Sequence, residues 1–394
     1  MGFLHNVKIL YIYRFTSSLI MAYVIERLFW EARGMTVQMV VYTEIIYAAA
    51  LLLLEVPSGI VADRWGRKRM IVLAALFGAL ELAVLLLAQQ FWHFALVVLL
   101  AAVSRAASSG AENALLYDSL ACTGQAAAFE KHVGRINAVD ITATIIAALC
   151  GSLLASRFEL TLNYWLSLCS MLLAVIAAIA LREPTRQAGE SASGLPLRAY
   201  VTASLRFFRD NPGVSLVVAS AMVIGASVSF VDEFWQLYLE RLHVPVLYFG
   251  SFSAALYAVR LPGNIVAHAL KERFSYRAVL LTATAGLVVG FACMALLPGV
   301  AGLAALLAVG LFAGVMEPLA AGYLHHRIED ASMRATLDSF QSLGYSGALA
   351  VIGLGFGWWA ARLDIFGGFG FIAVVCGLLF VCLLALSRKA LEER

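Results

Sequence analysis

Gly59-Ile60-Val61-Ala62-Asp63-Arg64-Trp65-Gly66-Arg67-Lys68-Arg69 is a short basic turn set between two long apolar runs. Apolar runs of about 20 residues belong in a bilayer, so the turn lies at a membrane surface. Four of its last six residues are Lys or Arg, which marks that surface as cytoplasmic. The whole chain agrees. Hydrophobic residues make up 62% and charged residues 13%, with a mean hydropathy of +0.86. A soluble chain carries about 25% charged residues. The 394 residues leave room for about twelve spanning helices, so the expected fold class is an all-α membrane protein of twelve transmembrane helices.

The apolar runs place helices at 8–30, 37–62, 70–89, 93–118, 133–156 and 160–182, then at 213–240, 245–270, 277–297, 300–326, 335–360 and 366–388. Most of the 8 prolines mark helix ends (Pro184, Pro196, Pro212, Pro245 and Pro298), which predicts largely unbroken helices. With both termini inside, 20 of the 28 Lys and Arg residues fall in cytoplasmic segments and 4 in outer loops. That bias sets the orientation. Met1 to Lys8 contains no small-residue cleavage site, so the first run is expected to be retained. The six cysteines sit mostly in apolar runs without C-x-x-C spacing. They read as core residues and not as metal ligands or a disulfide framework. A net charge of +3 is too small to point to a nucleic-acid partner.

Residues 183–212 form the one long polar linker, dividing residues 1–182, the N-terminal six-helix bundle, from residues 213–394, the C-terminal one. A shift of 205 positions overlays Pro57-Ser-Gly-Ile-Val-Ala-Asp63 on Pro262-Gly-Asn-Ile-Val-Ala-His268, Phe29-Trp30 on Phe234-Trp235, and Glu112 on Glu317. Two pseudo-symmetric halves in parallel repeat are a transporter arrangement. The second copy replaces the charged turn by Lys271-Glu-Arg-Phe-Ser-Tyr-Arg277, so the halves are related but not equivalent.

The spacing G-x-x-x-D-R-x-G-R-K also resembles the signature loop of the major facilitator superfamily, between its second and third membrane helices. The resemblance implies a secondary transporter in which this loop closes an inner gate, with helices one, four, seven and ten lining a central cavity. Gly59 would allow close helix approach and Gly66 the tight turn. Arg67 would then reach Asp118 at the inner end of helix four, completing a gate of Gly59, Asp63, Arg64, Gly66, Arg67 and Asp118. No phosphate loop, H-E-x-x-H motif or nucleophile elbow occurs in the sequence. The chain therefore reads as a carrier and not an enzyme, with no cofactor or metal.

Ionisable residues inside spans are costly and mark function. The helices that line the family's cavity carry Arg14, Glu26, Arg27, Arg105, Glu112, Asp232, Glu233 and Glu317. Five acids against three bases lean negative, which favours a cationic or zwitterionic substrate, or protons as coupling ion. Arg14 and Asp140 lie close enough in depth to neutralise each other, and Arg27 lies where it can snorkel outward. Arg105, near the middle of helix four, matches an arginine linked to proton coupling in the family's drug antiporters. Glu112 and Glu317 are expected to face each other and hold a proton. Trp235 beside Asp232 would suit a cation with an apolar body, and one of Asp232 and Glu233 contacts substrate. Glu81, in peripheral helix three, has no evident partner.

Helix five carries Gly134 and Gly151 but no proline, a departure from the family's drug–proton antiporters. The reading is a proton-coupled exporter of small amphipathic or cationic compounds, monomeric, in a prokaryotic cytoplasmic membrane. The alternative is a specific carrier of one polar metabolite or metal chelate.

Overall fold

The computed structural model describes residues 4–184, 208–325 and 331–391; the side chains of some helical residues, Asp63, His268 and Glu317 among them, lie outside that description. So does most of the expected linker. Every element among the described residues is helical. In a bilayer a helix meets its own backbone hydrogen bonds, and the apolar runs supply the length. Nine stretches of the described residues are long and apolar enough to cross a membrane.

In chain order the helices are α1 (Leu4–Ser18), α2 (Glu26–Ala32), α3 (Val37–Trp65), α4 (Arg67–Leu87), α5 (Phe91–Ser108), α6 (Ala111–Ala121), α7 (Phe129–Arg157) and α8 (Leu160–Ala180). They continue as α9 (Pro212–Arg241), α10 (Phe249–Arg273), α11 (Tyr276–Leu296), α12 (Val300–His325) and α13 (Ala331–Leu391). The last leaves helical geometry at Leu363 and Asp364, so it is two rods end to end. With α1 and α2 counted as one rod and α5 and α6 as another, the described residues form twelve rods.

The expectation of unbroken helices fails at the first and fourth rods, and proline is not the cause. Pro57, Pro262 and Pro318 all sit inside helices, whereas the breaks fall after Ser18 and at Ser109–Gly110. Gly110 takes a φ of +74°, open to glycine at little cost. The first break is held from outside. Asn163 of α8 donates to the carbonyls of Met21 and Gly151 at 3.0 and 2.9 Å, and the Ala22 N–H donates to Ser167 Oγ at 3.0 Å. Both α8 side chains are fully buried. Irregular backbone at membrane depth survives only where protein groups meet its polar atoms, and α8 supplies them.

Contacts divide the chain into two compact units, Met1–Glu190 with Val244–Ala254, and Ser191–His243 with Ala255–Arg394. The first is cored by small residues, Ala74, Ala75 and Ala79 of α4 with Ala174, Ala177 and Ala178 of α8, which let helices approach closely. Val244–Ala254 joins this unit because Gly250, lacking a Cβ, lies against Ala148 and Ser152 of α7. The second unit is cored by aromatics: Phe230 and Phe234 of α9 stack on Phe356, and Phe291 on Phe369. Its α13 kink is tied down by Asp364, which accepts from Arg241 Nε at 2.7 Å and from the Ile365 N–H at 2.8 Å.

Candidate functional site

The basic turn joins α3 to α4 and is held by residues of α1, α6 and the end of α8, all in the first unit. Gly66 separates α3 from α4 with φ +102° and ψ 149°, a region glycine alone enters freely. The α4 N-terminus is then open, and Glu183, just beyond α8, fills it. Its carboxylate accepts the N–H of Arg67 at 2.7 Å and of Lys68 at 2.8 Å. An anion at a helix N-terminus meets free N–H groups and the positive end of the dipole. Glu183 is in turn placed by Asn6 of α1, fully buried, which exchanges two hydrogen bonds with the Arg182 backbone and donates to Ser119. The Arg67 side chain turns the other way, pairing with Asp118 and donating to the Ala114 carbonyl at 2.7 Å.

Sequence reading missed Glu183 and Asn6. The signal for Glu183 was a lone acid between a helix end and Pro184, at the same membrane face as a helix start. Arg64 is exposed, and the Asp63 side chain lies outside the described residues. The close helix approach expected at Gly59 is not seen: apart from its own chain neighbours and helix backbone, no atom of the described residues lies within 4 Å of where its Cβ would sit.

Further along α1, Arg14 faces two acids, with Glu112 Oε2 at 3.4 Å and Asp140 Oδ1 at 3.2 Å. Ser18 donates to Asp140 at 2.5 Å. Glu112 sits in the first turn of α6, just past the Gly110 break, so the discontinuity of rod four aims the carboxylate at Arg14. The pairing expected of Arg14 and Asp140 is present, with Glu112 added. Arg105 lies in the last turn of α5 and is exposed. The break four residues on removes the mid-helix setting expected for it, although it stays within electrostatic reach of Glu112. Glu317, the expected partner of Glu112, has its side chain outside the described residues.

Arg27 does not snorkel. It is 5% exposed, bound to Glu44 at 2.8 Å and near Glu26 at 3.7 Å, with its guanidinium 4.5 Å from the Trp30 ring centroid. A charge so buried needs a carboxylate, and Glu44 of α3 supplies it.

The second unit has its own cavity, of about 430 Å³, lined by Asp232, Arg260, Ser229, Tyr345 and Gln341 among smaller residues. Asp232 accepts from Arg260 at 2.5 Å, and Ser229 and Tyr345 share a hydroxyl–hydroxyl contact of 2.5 Å. Room is made by glycines: a Cβ on Gly314 would meet the Arg260 backbone, and one on Gly225 the Tyr345 ring. Glu233 does not line this space and has contacts of its own. Trp235 is 6% exposed, so its ring packs within the unit and offers no open face to a cation. Arg260, on rod eight, lay outside the charge count made from sequence.

A family model described as Major Facilitator Superfamily matches residues 9–349. No curated protein sequence is similar enough to count as a relative. Among solved structures, the chain is similar to the nucleoside transporter NupG, with a TM-score of 0.78 and 15% identity over 99% of this chain and 100% of that one. A bacterial homolog of the human lysosomal transporter Spinster, inward-facing and unoccupied, has a TM-score of 0.70 and 14% identity over 100% and 98%. A D-xylose–proton symporter has a TM-score of 0.66 and 11% identity over 97% of each chain. At such identities the likeness is one of fold.

Proposed function

The chain belongs to the major facilitator superfamily and is a secondary membrane transporter, not an enzyme, and from that premise we propose that it carries one small polar solute by alternating access, with protons as the coupling ion. The observation that carries this reading is the second unit's cavity. Two hydroxyls, an amide and an ion pair converge on a space of about 430 Å³, within the usual range for a ligand pocket. Each group can donate or accept, which suits a solute bearing several hydroxyls or ring nitrogens. Such a site rejects analogues that lack those groups, because its own polar atoms are then left unpaired. The named substrates of the similar structures, a nucleoside and D-xylose with a proton, are of this kind.

Charge supports the same reading. The surplus of acids expected from sequence favoured a cation, but Arg260 neutralises Asp232 and Arg14 is shared by Glu112 and Asp140. Two acids on one guanidinium can hold a proton between them, and we assign proton coupling to that group. The basic turn, with Arg67 on Asp118 and Glu183 on the α4 N-terminus, serves as the inner gate and faces the cytoplasm. Residues 1–182 and 213–394 are the two moving halves.

The second reading, proton-coupled export of amphipathic or cationic compounds, is favoured by one feature: the Asp232 side chain is 46% exposed and would accept a cation if Arg260 swung aside. Counterflow in proteoliposomes against nucleosides, pentoses, hexoses and cationic dyes separates the two. One class of polar solute is expected to compete at submillimolar concentration. Competition by the dyes alone would defeat the polar-solute reading.

A further inference from the structure

A serine or tyrosine hydroxyl taken alone can donate or accept, but in the second unit's cavity each hydrogen already has a place. Ser229 donates to the Gly225 carbonyl one turn back at 3.0 Å, a bond that serines make inside helices. Its one hydrogen is then spent. The Tyr345 hydroxyl lies 2.5 Å from the same Ser229 oxygen, too close for two oxygens with no hydrogen between them. That hydrogen is the tyrosine's, so Tyr345 donates to Ser229. A phenol has only one, and whatever else meets Tyr345 Oη must bring its own.

Packing holds the ring in this pose. Tyr345 stands on the first rod of α13 and faces Gly225 of α9, where a Cβ would lie 3.3 Å from the ring. The neighbouring Gly344 lies against Met222 of α9, with 2.6 Å between the sulfur and the place of the missing Cβ. Two glycines, one on each rod, bring the rods together and set the hydroxyl over Ser229.

Asp232 repeats the pattern. It stands three residues beyond Ser229 on α9, so the two side chains leave one face of the helix about 5–6 Å apart. It accepts from Arg260 at 2.5 Å, and a carboxylate paired with a guanidinium has no hydrogen to offer. It lines the cavity and is nearly half exposed to it. The α9 wall therefore presents two acceptors in a row. Donors come from Arg260 of α10, and the Gln341 amide offers one of each kind.

We infer that Tyr345 and Asp232 together read hydrogen-bond donors on one edge of the solute, with Ser229 as the positioning residue that makes Tyr345 an acceptor. This rests on the polar-solute reading and narrows it. The solute presents two O–H or N–H groups along one edge, as a vicinal diol does. An ether oxygen, a carbonyl or a halogen in their place is rejected, because lone pairs then face lone pairs and the site's acceptors go unmet.

Two arms test it. The first needs no solute: infrared spectra of the full-length protein in lipid nanodiscs with ring-labelled tyrosine, taken for the wild type and for Ser229→Ala, each against its own Tyr345→Phe derivative. The phenol C–O band of the wild type is expected where a donating tyrosine absorbs, and Ser229→Ala is expected to shift it. A wild-type band at the position of an accepting or unbonded phenol overturns the inference, as does a band that Ser229→Ala leaves in place.

The second arm is counterflow in proteoliposomes with D-xylose and uridine, each as the parent and as its monodeoxy and monofluoro derivatives. Fluorine accepts but cannot donate. At the hydroxyls that meet Tyr345 and Asp232, fluorine is expected to weaken competition by about tenfold, as much as plain hydrogen does. In Ser229→Ala the Tyr345 hydrogen is released, and the fluoro derivative is expected to gain about threefold on the deoxy one. Fluoro derivatives that compete as well as their parents in the wild type overturn the inference. Thermal stabilisation by sodium at fixed ionic strength, lost in Tyr345→Phe, also overturns it, since the two acceptors would then hold a metal ion. Competition by the dyes and by neither parent strikes the polar-solute reading and leaves the direction of the Tyr345 bond to the infrared arm.

Discussion

The side-chain amide of Asn163 donates to the backbone carbonyl of Met21 at 3.0 Å, so a residue of rod six closes a gap in rod one. Removing it leaves buried backbone acceptors unmet, at a cost of about 1–3 kcal/mol. Asn163→Ala is expected to lower the midpoint of thermal unfolding in detergent by several degrees. Ser167→Ala, which removes the acceptor of the Ala22 N–H and a bond to the Asn163 carbonyl within α8, should lower it less. An unchanged midpoint in Asn163→Ala would mean that the break needs no support.

Arg67 and Asp118 predict a charge-swap result. Both side chains are about four-fifths shielded, so the loss of one partner is expected to cost more than an exposed pair yet less than a fully buried one, about 1–3 kcal/mol. Arg67→Asp and Asp118→Arg should each reduce initial uptake by about tenfold or more. The double variant should recover part of it. No recovery would remove the pair from the gate.

Two glycines of one turn should behave differently. An alanine at Gly66 meets a positive φ and a Cβ 2.8 Å from the Glu183 carboxyl carbon, which must then leave the α4 N-terminus. Gly66→Ala should cost about 1–3 kcal/mol and impair transport, whereas Gly59→Ala should leave stability unchanged or raised. Equal behaviour in an unfolding assay would contradict the geometry.

In the second unit, Ser229→Ala and Tyr345→Phe each remove one hydroxyl of a pair 2.5 Å apart. Each is expected to raise KM for the polar solute by about threefold to tenfold, the worth of about 0.5–1.5 kcal/mol, with little change in maximal rate. Trp235→Phe, at a buried ring, should alter stability more than KM. A KM indifferent to both hydroxyls would move the solute elsewhere.

Proton coupling predicts a split between two assays. Glu112→Gln and Asp140→Asn should abolish solute accumulation driven by a pH gradient while solute exchange without a gradient persists. Loss of both activities together would make the group around Arg14 structural.

Apolar runs and basic loops made the rods, their number and the basic turn readable before any coordinates, because both signals are local and set by the solvent. What stayed hidden was the work of distant partners. The break after Ser18 lacks proline, and Asn163, which meets its Met21 carbonyl, lies 142 residues away. Arg27 read as a snorkelling side chain because Glu44 belongs to another rod. Asp232 read as part of an acid surplus and a candidate substrate contact because Arg260 stands on a helix that the family pattern does not count among those lining the cavity. Glu183 read as linker because only the folded chain sets it against α4.

The gap in rod one also has a history within each molecule. The ribosome adds about 5–20 residues per second, and 142 residues separate Met21 from the amide that holds it. For many seconds, then, the first rod waits in the translocon or the lipid with no neighbour to take its loose carbonyls. A chain cut before α8 therefore lacks the groups that meet those carbonyls, and the discontinuity in rod one depends on the order in which the rods arrive.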